Sequence, residues 1–330
     1  MGQTQERQAG GFQASRIGKL LRTPESGIFL VLVIICILMA LVRPNFADSY
    51  NLSILVRQFS FVAIVALGQT LVLLKGGIDL SVGSVAGLCG ILTSWMLVNT
   101  GIPVYLCVPI GIVIGAACGF VNGLFITKFN LNPFIVTLAT GEIFAGMILV
   151  ITKGWAIRNL PESILFLGQG MVGPFPVPFI IMVVFTVIFM YVLRNTPFGR
   201  YIYAIGGNES AARLVGIKID KVKIAVYSIS GAMAALAGIL MATRLAAGQP
   251  TIGEGWLMAS ITAAIIGGTS LSGGEGRVIG SVIGAALMGV LSNAIVLLNI
   301  SAYWERVIIG AVVLIAIVFD RIRTRMQKNG

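Results

Sequence analysis

Polar and charged positions in this chain gather into short clusters, and apolar stretches of 15 to 24 residues run between them. At 1.5 Å of rise per helical residue, such stretches cross, or nearly cross, about 30 Å of hydrocarbon. The pattern predicts ten spans, at 27–42, 59–74, 82–98, 102–125, 133–152, 177–193, 224–243, 256–270, 278–299 and 305–320, the eighth being the shortest. Helix punctuation supports several ends: Pro44, Pro103, Pro133 and Pro178 lie near boundaries, and Gly76-Gly77 and Gly267-Gly268 interrupt apolar runs. The expectation is an all-α polytopic membrane protein of about ten transmembrane helices with two Gly-rich broken-helix elements. Its domains are a polar tail over 1–26, a membrane domain over 27–320 with a cytoplasmic loop over 194–223, and a second tail over 321–330. The apolar segment after the first tail is too long for a cleaved leader and has no small-residue cleavage site behind it, so the tail reads as retained.

Basic residues orient these spans. With the N-terminus inside, the inner side holds Arg7, Arg16, Lys19, Arg22, Lys75, Lys128, six residues of the 194–223 loop, Arg277, Arg321, Arg323, Arg325 and Lys328. That is 17 of 23 basic residues, against Arg43, Arg57, Lys153, Arg158, Arg244 and Arg306 outside, so both termini are expected in the cytoplasm. The net charge of +11 is therefore largely a topology signal. Spread over membrane-flanking loops rather than collected in one patch, it argues against nucleic acid as a partner and for membrane lipid around the chain.

Composition agrees, at 57% hydrophobic residues, 11% charged residues and a mean hydropathy of +0.97. There is no histidine, which excludes imidazole general acid-base chemistry, imidazole metal sites and histidine proton relays. Cys36, Cys89, Cys107 and Cys118 all sit in apolar stretches without CxxC spacing and read as packing residues. Gly168, Gly170 and Gly173 satisfy G-x-G-x-x-G but are followed by Pro174 and Pro176 and open no helix, so they make no dinucleotide site. No Walker-type phosphate cradle is present, so energy must come from an ion gradient or a separate polypeptide.

Four motifs remain. Asn208 to Gly216 reads as a two-turn helix with Asn208 as N-cap, Glu209 in the first turn, Arg213 in the last and Gly216 as stop. So short a helix is marginal alone, which suits a docking element for a cytoplasmic partner, although it also suits a surface helix lying on its own membrane domain. Lys75-Gly-Gly-Ile-Asp-Leu-Ser-Val-Gly-Ser84 places Asp79, Ser81 and Ser84 near membrane depth, where Asp79 has either a functional role or the duty of capping the next span or pairing with Lys75. Ile266 to Arg277 repeats this chemistry, which points to a central pathway or to shared turn chemistry. Glycines at 111, 115, 119 and 123, and at 280, 284 and 289, suit close helix packing within the subunit or across a dimer more than substrate contact. Glu142 is the most deeply placed ionisable group, and a buried charge there would demand a partner, a proton or water.

Three runs then carry a resemblance: Gly76 to Ser84, Phe198 to Ile217, and Gly267 to Arg277. In this order they resemble the membrane permease of ribose-type monosaccharide ABC importers, over about residues 44–320. The resemblance implies that two permease copies, or a copy and a paralogue, form the pathway. It also implies a cytoplasmic ABC ATPase subunit and a periplasmic or lipid-anchored sugar-binding protein, at a bacterial inner membrane. No cofactor is expected on this chain, which is not itself an enzyme; ATP and Mg belong to the ATPase. Asn208, Glu209, Ala211, Ala212, Arg213, Leu214 and Gly216 would then dock in the ATPase cleft. Gly76, Gly77, Asp79, Ser81 and Gly83, with Gly267, Gly268, Thr269 and Ser270, would form broken-helix elements bordering the pathway, to which Glu142 is added.

Two departures bear on the solute. Where ribose permeases carry a Glu-Leu-Asp run this chain has Trp256-Leu257-Met258, and where many carry Arg before the glycine of span 5 it has Ala145-Gly146. The expected mechanism is alternating access for a monosaccharide such as ribose. The competing expectations are an ABC permease for a nucleoside, a signalling furanoside or a branched-chain amino acid, and an ion-coupled secondary transporter using Asp79 and Glu142.

Overall fold

The computed structural model describes residues 24–301 continuously and isolated positions between 304 and 318. The predicted tails (apart from 24–26, which open the first helix) and most of the tenth stretch, 305–320, lie outside the described residues. Twelve α-helices are described: α1 (Pro24–Val42), α2 (Ser49–Leu74), α3 (Val82–Asn99), α4 (Val104–Lys128), α5 (Pro133–Thr152), α6 (Glu162–Gln169), α7 (Val177–Asn195), α8 (Pro197–Gly207), α9 (Glu209–Leu214), α10 (Ile219–Leu245), α11 (Trp256–Ile266) and α12 (Val278–Leu297). Seven of them, α2, α3, α4, α5, α7, α10 and α12, are long and apolar enough to cross a membrane, so the chain is a multi-pass membrane protein.

The eighth stretch is shorter than the hydropathy pattern suggests. It forms α11, which ends at Ile266 after 11 residues, and at about 16 Å it reaches only halfway through the hydrocarbon. Elsewhere helices outrun their apolar runs. α2 begins at Ser49 and α10 at Ile219, because Arg57, Gln58 and Lys221 are compatible with helix even though they interrupt hydrophobicity.

α2 is the central post, packed by α10, α11, α12 and α7, and from Phe59 to Leu74 only Val62 escapes burial. Lipid is as apolar as the side chains, so burial alone does not hold such helices together; close packing and interhelical hydrogen bonds do. The four-residue glycine ladder supplies the first, within the subunit: Gly115 and Gly119 of α4 lie so close to Gly231 and Tyr227 of α10 that a Cβ at either would overlap backbone. The second comes from Thr70 donating to Ser281 at 2.7 Å and from a reciprocal amide pair, Asn51 and Asn293, at 3.2 and 2.8 Å. All four cysteines are free, three of them buried.

The two ends of the bundle differ. At one, Arg57 donates to the Gln169 carbonyl at 2.9 Å, Gln169 to the Arg244 carbonyl at 3.0 Å, and Ile157 bridges Gly248. The G-x-G-x-x-G decoy lies here, with Gly173 turning a two-stranded hairpin, β1 (Met171–Val172) and β2 (Phe175–Pro176). At the other, α8 meets the α2–α3 and α11–α12 connections: Gly274 N–H donates to the Leu74 carbonyl at 2.8 Å, and the Tyr203 hydroxyl to the Gly276 carbonyl at 2.9 Å.

Candidate functional site

The loop segment builds a capped projection. Thr196 accepts from Gly199 N–H at 3.2 Å and Pro197 follows it, which starts α8; this helix is absent from the expectation drawn from sequence, although a Thr-Pro pair is a helix-start signal. Asn208 then both ends α8 and caps α9, its Oδ1 accepting from Ala211 N–H at 2.9 Å. Gly216, with φ +83°, closes α9 as its N–H reaches the Arg213 carbonyl at 3.1 Å and Ile217 N–H reaches the Ala212 carbonyl at 3.2 Å. Ala212 is buried, which seats the turn, while Leu214 and Val215 are 88% and 77% exposed. Glu209 fixes the projection to the membrane body through Lys223 of α10 at 2.8 Å, with Arg213 at 3.6 Å. The result is a rigid, doubly capped turn presenting two apolar side chains to the exterior, beside an exposed arginine.

The two Gly-Gly runs are stopped the same way. After α2, Gly76 (φ +80°) and Gly77 donate to the Leu73 and Val72 carbonyls; after α11, Gly268 (φ +86°) and Thr269 donate to the Ile265 and Ala264 carbonyls. The two runs therefore share one turn chemistry. Gly267 additionally packs against Gly280 with no room for a side chain, and Gly83 does the same against Gly253. Ser270 N–H donates to the Glu275 carbonyl at 2.9 Å, closing the second loop on itself, and the buried Thr269 hydroxyl has no partner.

Asp79 is buried and serves as the hub of the first loop. Its Oδ1 accepts from Ser81 N–H at 3.0 Å and Ser81 Oγ at 2.6 Å, and its Oδ2 accepts from Ser230 Oγ at 2.9 Å. Ser81 in turn accepts from Asn122 at 2.8 Å, Asn122 accepts from Thr140 at 2.6 Å, and Thr137 accepts from Leu80 N–H at 3.0 Å. The loop is thus tied to α4, α5 and α10 by a network around Asp79, whose carboxyl is pushed up by burial, the larger effect, and held down by the bonds donated from Ser81 and Ser230. Asp79 closes an Asx turn on Ser81, the N-cap residue of α3, which has no side-chain cap bond of its own, and it makes no ion pair with Lys75; the ion pairs among the described residues both involve Glu209. Lys75 instead lies with its ammonium 4.2 Å above the Tyr227 ring, and Tyr227 donates to the Ile78 carbonyl at 3.3 Å. Burial, and after it the charge of Lys223, pulls the Lys75 ammonium down to about 7. Asn122, Thr137, Thr140 and Ser230 were not singled out by sequence reasoning; a polar residue inside an apolar span is the signal that marks them.

Glu142 is far from that network in character. It occupies the middle of α5 but is exposed on the outside of the chain, beside exposed Leu138 and Gly146, so it is not buried within the subunit. No group of three or more His, Cys, Asp or Glu that could hold a metal exists among the described residues.

A bundle of membrane-crossing helices with a half-length helix, two glycine-stopped connections and a capped projection at one end is the build of a solute permease. The comparisons place it further. The chain belongs to the family described as branched-chain amino acid transport system / permease component, which it matches over residues 51–317. It is 44% identical to the ribose import permease protein RbsC of Bacillus subtilis over 297 residues, 89% of this chain and 92% of that protein. It is 40% identical to the RbsC of Haemophilus influenzae over 309 residues, covering 92% and 95%, and 37% identical to the L-arabinose transport system permease protein AraH of Escherichia coli over 303 residues, covering 92% of each. No solved structure matches the chain.

Proposed function

We propose that this chain is the permease subunit of an ATP-driven importer for a monosaccharide, ribose or a related sugar, working by alternating access between two permease copies. The observation that carries the coupling half of this reading is α9: capped at both ends, braced by Glu209 and Lys223, with Leu214 and Val215 projecting into solvent. A helix of six residues holds its shape only when capped and packed, and exposed apolar side chains on a rigid turn suit a protein partner. That partner is the ATPase subunit, which carries ATP and Mg. Its closure pulls the projection, and the pull passes through α8 to the α2–α3 and α11–α12 connections that α8 touches.

Glu142 supports two copies. A carboxylate at mid-span does not face lipid. The exposed face of α5 that carries it therefore meets the second permease subunit or a water-lined path between the two. Asp79, Ser81, Gly76, Gly77 and Gly83, with Gly267, Gly268, Thr269 and Ser270, shape the broken elements beside this path rather than gripping the sugar. Affinity then resides in the sugar-binding protein. The distribution of basic residues supports a cytoplasmic side for both ends of the chain.

The test is uptake by variants with bulk or lost charge on α9. Ala211→Trp and Arg213→Glu in the assembled transporter should leave ATP hydrolysis running while sugar uptake falls, because contact is spoiled without touching the pathway. Unimpaired uptake in both would sink the docking assignment. The sugar itself is tested apart from this, by ligand binding to the cognate binding protein; a protein that takes no monosaccharide would overturn the substrate and leave the coupling reading standing.

A further inference from the structure

We propose that one stripe of α10, made of Lys223, Tyr227 and Ser230, couples the docking turn to the first glycine-stopped loop, so that these three act as positioning residues in transport. The inference rests on the reading of α9 as the seat of the ATPase. Spacings of four and three put the three side chains on one face of the helix, along about 10 Å of its axis. Each takes hold of a different part of the chain. Lys223 Nζ lies 2.8 Å from the carboxylate of Glu209, the first residue of α9. Tyr227, one turn further in, donates to the Ile78 carbonyl at 3.3 Å, and the Lys75 ammonium lies 4.2 Å from the centre of its ring. Ser230, at the deep end, donates to Asp79 at 2.9 Å, and Asp79 holds Ser81 at the start of α3.

The inner part of the stripe has no slack in which a displacement could be lost. Tyr227 and Ser230 are buried. Gly119 of α4 packs against the backbone of Tyr227, and Gly68 of α2 against that of Ser230, both too closely for a Cβ to fit. Packing this dense transmits strain instead of absorbing it, and a helical segment between fixed contacts moves as a unit. Displacement of Glu209 by the ATPase therefore reaches Ile78 and Asp79 through two turns of helix and three side-chain contacts. From Asp79 the bonds continue through Ser81 and Asn122 to Thr140 of α5, the helix whose exposed face carries Glu142. None of these contacts involves α8, so the stripe is a second route from the projection into the membrane body, leading to the face assigned above to the second copy or the path.

The experiment measures D-ribose moved per ATP hydrolysed, in proteoliposomes holding the chain with its ATPase and binding protein, with melting of each purified chain recorded in parallel. K223M and Y227F should each lower that ratio about 2- to 30-fold, the range expected of residues that carry coupling between distant sites, while melting within a few degrees of wild type. K223R keeps the ion pair and should hold the wild-type ratio. Hydrogen exchange gives a readout that does not depend on the sugar. Trapping the ATPase with ATP and vanadate should change exchange of the amides at 77–81 in the wild-type transporter, and K223M should lose most of that change. Where K223M melts early, exchange in Y227F decides in its place. A wild-type ratio in K223M and Y227F, a ratio as low in K223R as in K223M, or exchange at 77–81 that ignores the trap would overturn the proposal. Uncoupling by Ala211→Trp and Arg213→Glu beside normal K223M and Y227F would sink this route alone; unimpaired uptake in all four would sink the docking reading as well.

Discussion

Replacing Asp79 by asparagine removes the charge at the hub of the first loop while leaving most of its hydrogen bonds available. The asparagine Oδ1 can accept from both Ser81 donors, now at 3.0 and 2.6 Å, and its Nδ2 takes the place of the oxygen 2.9 Å from Ser230, whose hydroxyl can turn and accept. What is lost is charge assistance, since a hydrogen bond to an ionised group contributes about 1.5–3 kcal/mol against about 1 kcal/mol for a neutral one. Part of this returns because a charge no longer has to be buried, so the net cost is about 1–2 kcal/mol. Asp79→Ala instead leaves Ser81 N–H and the Ser230 hydroxyl inside the protein without partners, at about 1–3 kcal/mol each. Its cost is therefore about 3–5 kcal/mol. Thermal unfolding of the purified chain, paired with sugar uptake by the reconstituted transporter, reads both consequences. Asp79→Asn should melt a few degrees low and transport well; Asp79→Ala should melt much lower and transport only as far as folded protein survives. An Asp79→Asn chain that melts like wild type yet transports nothing would refute the reasoning, because the carboxylate would then have a chemical role such as ion coupling.

Other expectations follow from the same geometry. Lys75 titrates near 7 in the folded chain and near 10.5 in the unfolded one, so its neutral form is favoured by folding and stability should rise with pH across that window; Lys75→Met should flatten the rise in a melting series from pH 7 to 9.5. Asn208→Ala removes the side-chain cap of α9, costing about 1 kcal/mol, and should lower uptake per ATP hydrolysed with little change in melting. Gly119→Val forces a side chain against the Tyr227 carbonyl and should cost more than about 3 kcal/mol, seen as loss of folded protein on expression, whereas Gly146→Ala on the open face of α5 should fold normally.

Most of the membrane architecture is readable from hydropathy because only helices satisfy their backbone in lipid, so an apolar run of sufficient length has one outcome. The reading falters where hydropathy and helix part company. Arg57 and Lys221 lie inside helices whose apolar runs begin later, and Ile266 ends a helix in the middle of an apolar run because Gly267-Gly268 can adopt the left-handed stop that other residues resist. Caps are local chemistry, so Asn208 and Gly216 were legible from their neighbours alone. The Asp79 network was not, since Ser230 and Asn122 come from distant spans and a sequence does not say which faces meet. Glu142 shows the same gap: depth is readable from position in a span, but whether the side chain points into the subunit or away from it depends on how α5 is rotated.

The central claim is tested most directly by sugar uptake into proteoliposomes holding this chain, its ATPase and its binding protein, with ATP supplied and the proton gradient collapsed. Uptake that persists under these conditions, and stops when ATP is replaced by a non-hydrolysable analogue, is the predicted result. Uptake that follows the ion gradient and proceeds without the ATPase subunit would contradict it.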